Sequence, residues 1–240
     1  MHDTNMTGPK EFKLLTPLTG LFVAVLLVSN VTSQKMFAIG PFVSGGGIIL
    51  FPIAYIFNDI LTETYGYVVA RKVIWTGVFC QLLAASVYAL VEALPPADFW
   101  PHQEAYQTIL GIVPRIAIGS ICGYFCGAFA NAIVLAKLKV QDRGKKLGKR
   151  FVLSTIVGEA VDTAVFMAVA FLGVLPPGGF LRVAVTAYIF KVAYEVVMVP
   201  WTTRIAGIVK SIEGVDVYDS ETRFSPFAIF QRSDRQKHRQ

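Results

Sequence analysis

The stretch IILFPIAYIFNDILTETY, residues 48–65, decides how this chain is read. It has the length and apolar character of a membrane-crossing helix, yet Asp59 and Glu63 lie inside it. Tyr55, Asp59 and Glu63 recur every four residues and so share one helix face, with Asn58 and Thr62 beside them. A charge near the centre of a bilayer costs at least roughly 2.5–3.5 kcal/mol on insertion scales, so acids in such a run need a reason to be there.

The rest of the chain repeats the pattern. Of 240 residues, 54% are hydrophobic and only 16% charged, where a soluble domain is nearer a quarter charged. Apolar residues come in long runs, at about 14–37, 48–65, 73–94, 109–138, 151–175 and 181–209. Only helices or a closed barrel satisfy the backbone in lipid, and runs of this length mean helices. The expected fold is an all-α membrane protein of six transmembrane helices. It divides into a cytoplasmic tail at 1–13, one membrane domain at 14–210 and a second cytoplasmic tail at 211–240. The first run is too long for the apolar region of a cleaved leader and reads as a retained helix.

Lysine and arginine set the orientation. The N-terminal tail, Arg71–Lys72, the 137–150 segment and the C-terminal tail are basic, whereas 38–47, 95–108 and 176–180 contain neither residue. This alternation predicts both termini in the cytoplasm, with the bacterial inner membrane as the expected location. The net charge of +6 is therefore explained by cytoplasmic loops, and no nucleic-acid partner is expected. Cys80, Cys122 and Cys126 lie in apolar runs and form no disulfide framework. His2, His102 and His238 lie outside the runs, so no histidine metal site or proton relay is expected in the membrane, and no metal or cofactor is implied.

Polar residues also interrupt the other runs. The first carries Asn30 and Gln34, four apart; the fifth Glu159 and Asp162, three apart, with Thr163 adjacent; the sixth Lys191 and Glu195, four apart; the fourth Asn131. Brought together at similar depth, these groups would line a polar cavity, the usual arrangement for a transported solute. Two bland alternatives stand beside that reading: Lys191 and Glu195 as an internal ion pair, and Glu63 paired with Arg71. In the fourth run Gly119, Gly123, Gly127 and Asn131 form a stripe that allows close helix approach, either within one chain or in a homodimer. No intramembrane serine–histidine arrangement and no glycine-rich phosphate loop point to an enzyme.

Several segments resemble the queuosine precursor transporter family, the YhhQ-like or vitamin uptake transporter group. They are Ser29-Asn30-Val31-Thr32-Ser33-Gln34-Lys35, Phe51-Pro52-Ile53-Ala54-Tyr55 through Asp59-Ile60-Leu61-Thr62-Glu63-Thr64-Tyr65-Gly66, and Gly158-Glu159-Ala160-Val161-Asp162-Thr163, with Lys191, Glu195 and Pro200 following. The tail Phe224-Ser225-Pro226-Phe227 departs from the family's Phe-Asn-Pro-Phe. The resemblance implies six helices similar to the substrate-binding components of energy-coupling-factor transporters. It also implies import of 7-deazaguanine precursors of queuosine, chiefly preQ0 and preQ1. The alternative is a binding subunit for a purine-like or vitamin-like solute that needs a separate energising partner.

The residue types suit such a base. A carboxylate can accept both N1–H and the 2-amino group, and an amide can serve O6 and N7. Asp59, Glu159, Glu195, Asn30 and Gln34 supply these groups. Phe51, Tyr55 or Phe166 can stack on the ring, and Asp162 can take the aminomethyl cation of preQ1. With Glu63, Asn131 and Lys191 these make the expected substrate site.

Overall fold

The computed structural model describes residues 12–39, 42–111, 114–174 and 176–228. The order of elements is α1 (Leu15–Thr32), a hairpin of β1 (Met36–Ile39) and β2 (Phe42–Gly45), a 3₁₀ turn (Gly46–Ile49), α2 (Phe51–Tyr65), α3 (Tyr67–Glu92), α4 (Gln103–Leu110), α5 (Pro114–Gln141), α6 (Leu147–Phe171) and α7 (Pro177–Glu213). Six of the helical segments are long and apolar enough to cross a membrane. The six expected spans are therefore all present, with shifted ends.

Each shift has a local cause. The first run stops being helical at Thr32, and residues 36–39 pair antiparallel with residues 42–45, with Met36 opposite Gly45. The expected turn at Arg71–Lys72 lies instead at Gly66, whose φ of +81° is open to glycine but strained for other residues. A Cβ there would also stand 2.7 Å from the Val217 side chain. Arg71 is consequently a buried residue of α3. The expected fourth run splits: α4 lies in what was read as a loop, and α5 starts at Pro114, where the missing N–H costs nothing. Helix α7 has 37 residues, about 55 Å at 1.5 Å per residue, which exceeds a hydrocarbon core of about 30 Å. Pro200 sits inside it and takes one backbone bond from the ladder.

Helix α2 is the central element. All residues from Asn58 to Tyr65 are buried, with α1, α3, α5 and α7 packed around it. The glycine stripe of α5 faces α6 of the same chain. A Cβ at Gly123 would come within 2.8 Å of Asp162 Oδ1 and 2.9 Å of the Asp162 carbonyl oxygen, and one at Gly119 within 3.1 Å of Ala170 Cβ. The stripe thus serves internal packing. Exposed aliphatic side chains such as Leu181, Ile189, Val197 and Ile208 run along α7, as expected of a lipid-facing helix.

One end of the bundle is closed by ion pairs centred on Glu63, which is fully buried. Arg150 Nη2 of α6 lies 2.9 Å from Glu63 Oε1, Lys139 Nζ of α5 lies 3.5 Å away, and Lys210 of α7 pairs with the same oxygen. Asp216 pairs with Lys139 (2.5 Å) and Lys210 (2.9 Å), and Asp142 with Arg150 (2.8 Å). Three cations thus meet three anions. Asp216 lies outside the spans; burial works to raise its pKa, but Lys139 and Lys210 hold it below the usual carboxylate range. The expected Glu63–Arg71 pair does not form, because three closer cations surround Glu63.

Arg71 binds the chain's last described segment instead. After Glu213 the chain runs back across α2 and α3 as a strap. Val217 N–H donates to the Thr64 carbonyl (3.3 Å), Tyr67 N–H to Asp219 Oδ2 (2.9 Å), Arg71 Nη1 to the Ser225 carbonyl (2.8 Å) and Trp75 Nε1 to the Pro226 carbonyl (2.9 Å).

Four outcomes are expected from this packing. Gly123→Ala lowers thermal stability in detergent by the equivalent of about 1–3 kcal/mol, the cost of overpacking. Gly20→Ala, whose added Cβ meets nothing within 4 Å, leaves stability unchanged or raises it by up to about 1 kcal/mol. Glu63→Ala leaves buried cations uncompensated and costs about 3–5 kcal/mol. Adding Arg150→Ala restores part of that loss, as measured by thermal unfolding and by the monodisperse fraction on size exclusion.

Candidate functional site

A cavity of about 590 Å³ lies between α1, α2, α3, α5, α6 and α7, on the hairpin side of the bundle. Its position follows from three local features. The 3₁₀ turn and Pro52 start α2 late, so Phe51 stands at the cavity wall. The glycine stripe holds α5 against α6, which leaves Asp162 and Phe166 at the α6 face that borders the cavity. Lys191 reaches in from α7.

The cavity floor is an ion-pair cluster. Lys191 pairs with Asp162, and its Nζ lies 3.0 Å from Glu159 Oε2. The same ammonium stands 4.7 Å from the centroid of the Phe51 ring, a cation–π contact that holds the ring beside the charge. The wall opposite carries two amides: Asn30 Nδ2 donates to Gln81 Oε1 at 2.8 Å. Gln81 Nε2 has no partner among the described residues. Phe166 and Tyr88 add aromatic surface.

The expected site residues therefore divide by depth. Asn30, Gln34, Phe51, Asp162 and Lys191 line the cavity. Tyr55, Asp59, Asn131, Glu159 and Glu195 lie buried beneath it. There Asn131 Nδ2 donates to Asp59 Oδ1 at 2.6 Å, joining α5 to α2, and Thr155 Oγ1 donates to Glu195 Oε2 at 2.5 Å, joining α6 to α7. Glu63 lies one turn further on, inside the basic cluster at the closed end. The expected Lys191–Glu195 pair is replaced by Lys191 with Asp162 and Glu159. Side chains on a helix lean toward its N-terminus, so Lys191 extends up to the cavity while Glu195 stays below.

Gln81 was missed in the sequence, although it is the one amide within the apolar run 73–94. A single uncharged polar residue gives no face periodicity, so only its isolation in that run could have marked it. Phe166 was foreseen only as a stacking residue, and it does line the cavity.

The arrangement offers an anion beside a cation at the floor, amide groups on one wall and aromatic faces between. It can hold a flat, polar solute by its edges and its faces at once. No group of three or more histidine, cysteine, aspartate or glutamate side chains among the described residues is placed to hold a metal ion.

Comparison with known proteins bears on what this cavity serves. A family model described as "Putative vitamin uptake transporter" matches residues 45–205. That span includes every candidate residue except Asn30 and Gln34. The "Probable queuosine precursor transporter" of Bacillus subtilis (strain 168) is 31% identical over 156 residues, covering 65% of this chain and 68% of that protein. No solved structure matches the chain. The matched span holds the cavity floor, the buried acids and five of the six membrane-crossing helices, and on these matches the chain belongs to the vitamin uptake transporter family, a family of transporters rather than enzymes.

Proposed function

We propose that this protein imports 7-deazaguanine precursors of queuosine, preQ0 and preQ1, across the bacterial cytoplasmic membrane. The observation that carries the reading is a single cavity lined by the Asp162–Lys191 pair, the Asn30–Gln81 amides, Phe51 and Phe166. The similarity to a protein named as a queuosine precursor transporter supports the substrate class.

A 7-deazaguanine presents adjacent donors at N1–H and the 2-amino group. Asp162 can accept both, and Lys191 can donate to O6 once its own carboxylate is engaged. The Asn30 and Gln81 amides, which offer donor and acceptor together, face the remaining edge. Phe51 and Phe166 stack on the ring. For preQ1 the aminomethyl cation adds a charge attracted to the same acids. A buried site built on such groups rejects analogues that lack them.

The distribution of lysine and arginine supports a cytoplasmic position for the Glu63 end of the bundle and for both termini. The cavity lies toward the opposite face, and the buried acids and the Glu63 cluster stand between it and the cytoplasm. This is the outward-facing form of an importer. Release inward requires the contacts joining α2 to α5, α6 and α7 to open.

Three measurements test the reading. In a strain unable to make its own precursor, the wild-type protein restores queuosine in tRNA when preQ0 or preQ1 is supplied; no restoration rejects the substrate. In liposomes, uptake without nucleotide rejects the alternative of a binding subunit that depends on an energising partner. Asp162→Ala and Lys191→Ala each remove a charged hydrogen bond, about 1.5–3 kcal/mol, so affinity for preQ1 falls roughly 10- to 150-fold at normal protein levels. Unchanged affinity in both removes the cavity floor from the binding site.

A further inference from the structure

Beneath the cavity floor, two carboxyl groups from different helices meet without enough donors. Glu159 of α6 and Glu195 of α7 are both buried, and Thr155, one turn from Glu159 on the same face of α6, donates to Glu195 Oε2 at 2.5 Å, which makes the two carboxyl groups neighbours. Among the described residues nothing donates to Glu159 Oε1 or to Glu195 Oε1. Two carboxylates are acceptors only, so such a contact is repulsive unless one of them carries a proton, which then serves both.

The surroundings decide which proton count is stable. Among the described residues Lys191 of α7 is the one cation paired with these acids, and it is shared between Glu159 and Asp162 of α6. From α2, Asp59 adds a further negative charge, and the uncharged Tyr55 hydroxyl faces the same group of acids. From α6, Thr155 donates to Glu195. Among the described residues helix α5 contributes neutral groups: Asn131, bonded to Asp59, and the Tyr124 hydroxyl and Cys126 thiol, near Asp162. One half-shared cation cannot offset two ionised glutamates beside two aspartates in a low-dielectric interior.

We infer that Glu159 and Glu195 form a one-proton site, and that Lys191 links its occupancy to that of the cavity, so that ligand binding expels the proton. The inference rests on the cavity being the substrate site. A ligand whose donors or cation engage Asp162 releases Lys191 from that carboxylate. With Asp162 taken up by the ligand, the Lys191 ammonium has donors for both the ligand's O6 and Glu159, holds Glu159 ionised, and the shared proton leaves. Linkage is reciprocal, so affinity rises with pH, by about tenfold per unit over the range where the site is protonated in the empty protein.

The proton site is tested without any substrate. Infrared spectra of purified protein show a protonated-carboxyl band whose Glu159–Glu195 component is absent in Glu195→Gln, because Glu159 is then left with Lys191. In Glu159→Gln a protonated-carboxyl component remains, because Glu195 then has no cation. Identical spectra in wild type and Glu195→Gln overturn the site. The linkage is tested by calorimetry with preQ1 in buffers of different ionisation enthalpy. Release of about one proton per ligand supports it, and none released, or a proton taken up, overturns it. If preQ1 fails to bind at all, the substrate reading falls while the infrared result still decides the proton site.

Discussion

Hydrocarbon does not solvate charge, and a bundle that carries ionised groups into lipid must bring their counter-charges along. This protein does so in two ways. At the closed end Glu63 gathers Lys139, Arg150 and Lys210 from three helices, and Asp142 and Asp216 complete an equal number of opposite charges. Beneath the cavity the count is unequal, with Lys191 as the near cation for Asp162 and Glu159 while Asp59 and Glu195 have only neutral donors. The balanced cluster fixes helix positions. The unbalanced one has capacity left for something that arrives.

Both clusters depend on α2. Its polar face is too charged for lipid, so α2 takes the centre and the other helices surround it. Asn58 and Asp59 then reach α5, where Asn58 Nδ2 donates to the Ala128 carbonyl at 3.2 Å and Asp59 accepts from Asn131, while Glu63 meets the basic cluster of α5, α6 and α7. Any movement of α2 relative to α5, α6 and α7 therefore alters the cavity floor and the Glu63 closure together.

Much of this could be read in advance. Six spans followed from run length, because lipid permits little else, and the inward face of α2 followed from the four-residue recurrence of Tyr55, Asp59 and Glu63. Partner choice did not follow. Spacing along one helix suggested Lys191 with Glu195 and Glu63 with Arg71, but which charges meet is decided by helix offsets and by side-chain lean toward the N-terminus. Gly66 explains the Arg71 case: by turning the chain there with no intervening loop, it draws Arg71 into α3 and away from Glu63. The α4–α5 division at Gly111 and Pro114 was likewise visible as residues, though hydropathy alone ran through it.

The strap has a bearing on the order in which the molecule is assembled. Helices enter a membrane from the N-terminus onward, so α2, α3 and α5 are in place while Arg71, Trp75 and Lys139 still lack the partners that Asp216, Ser225 and Pro226 supply. Those partners leave the ribosome after all of the described helices. The Glu63 end therefore stays unfastened until the strap emerges. A nascent chain that stalls before then would present a half-closed bundle in which Arg71, Trp75 and Lys139 lack the acceptors that the strap supplies.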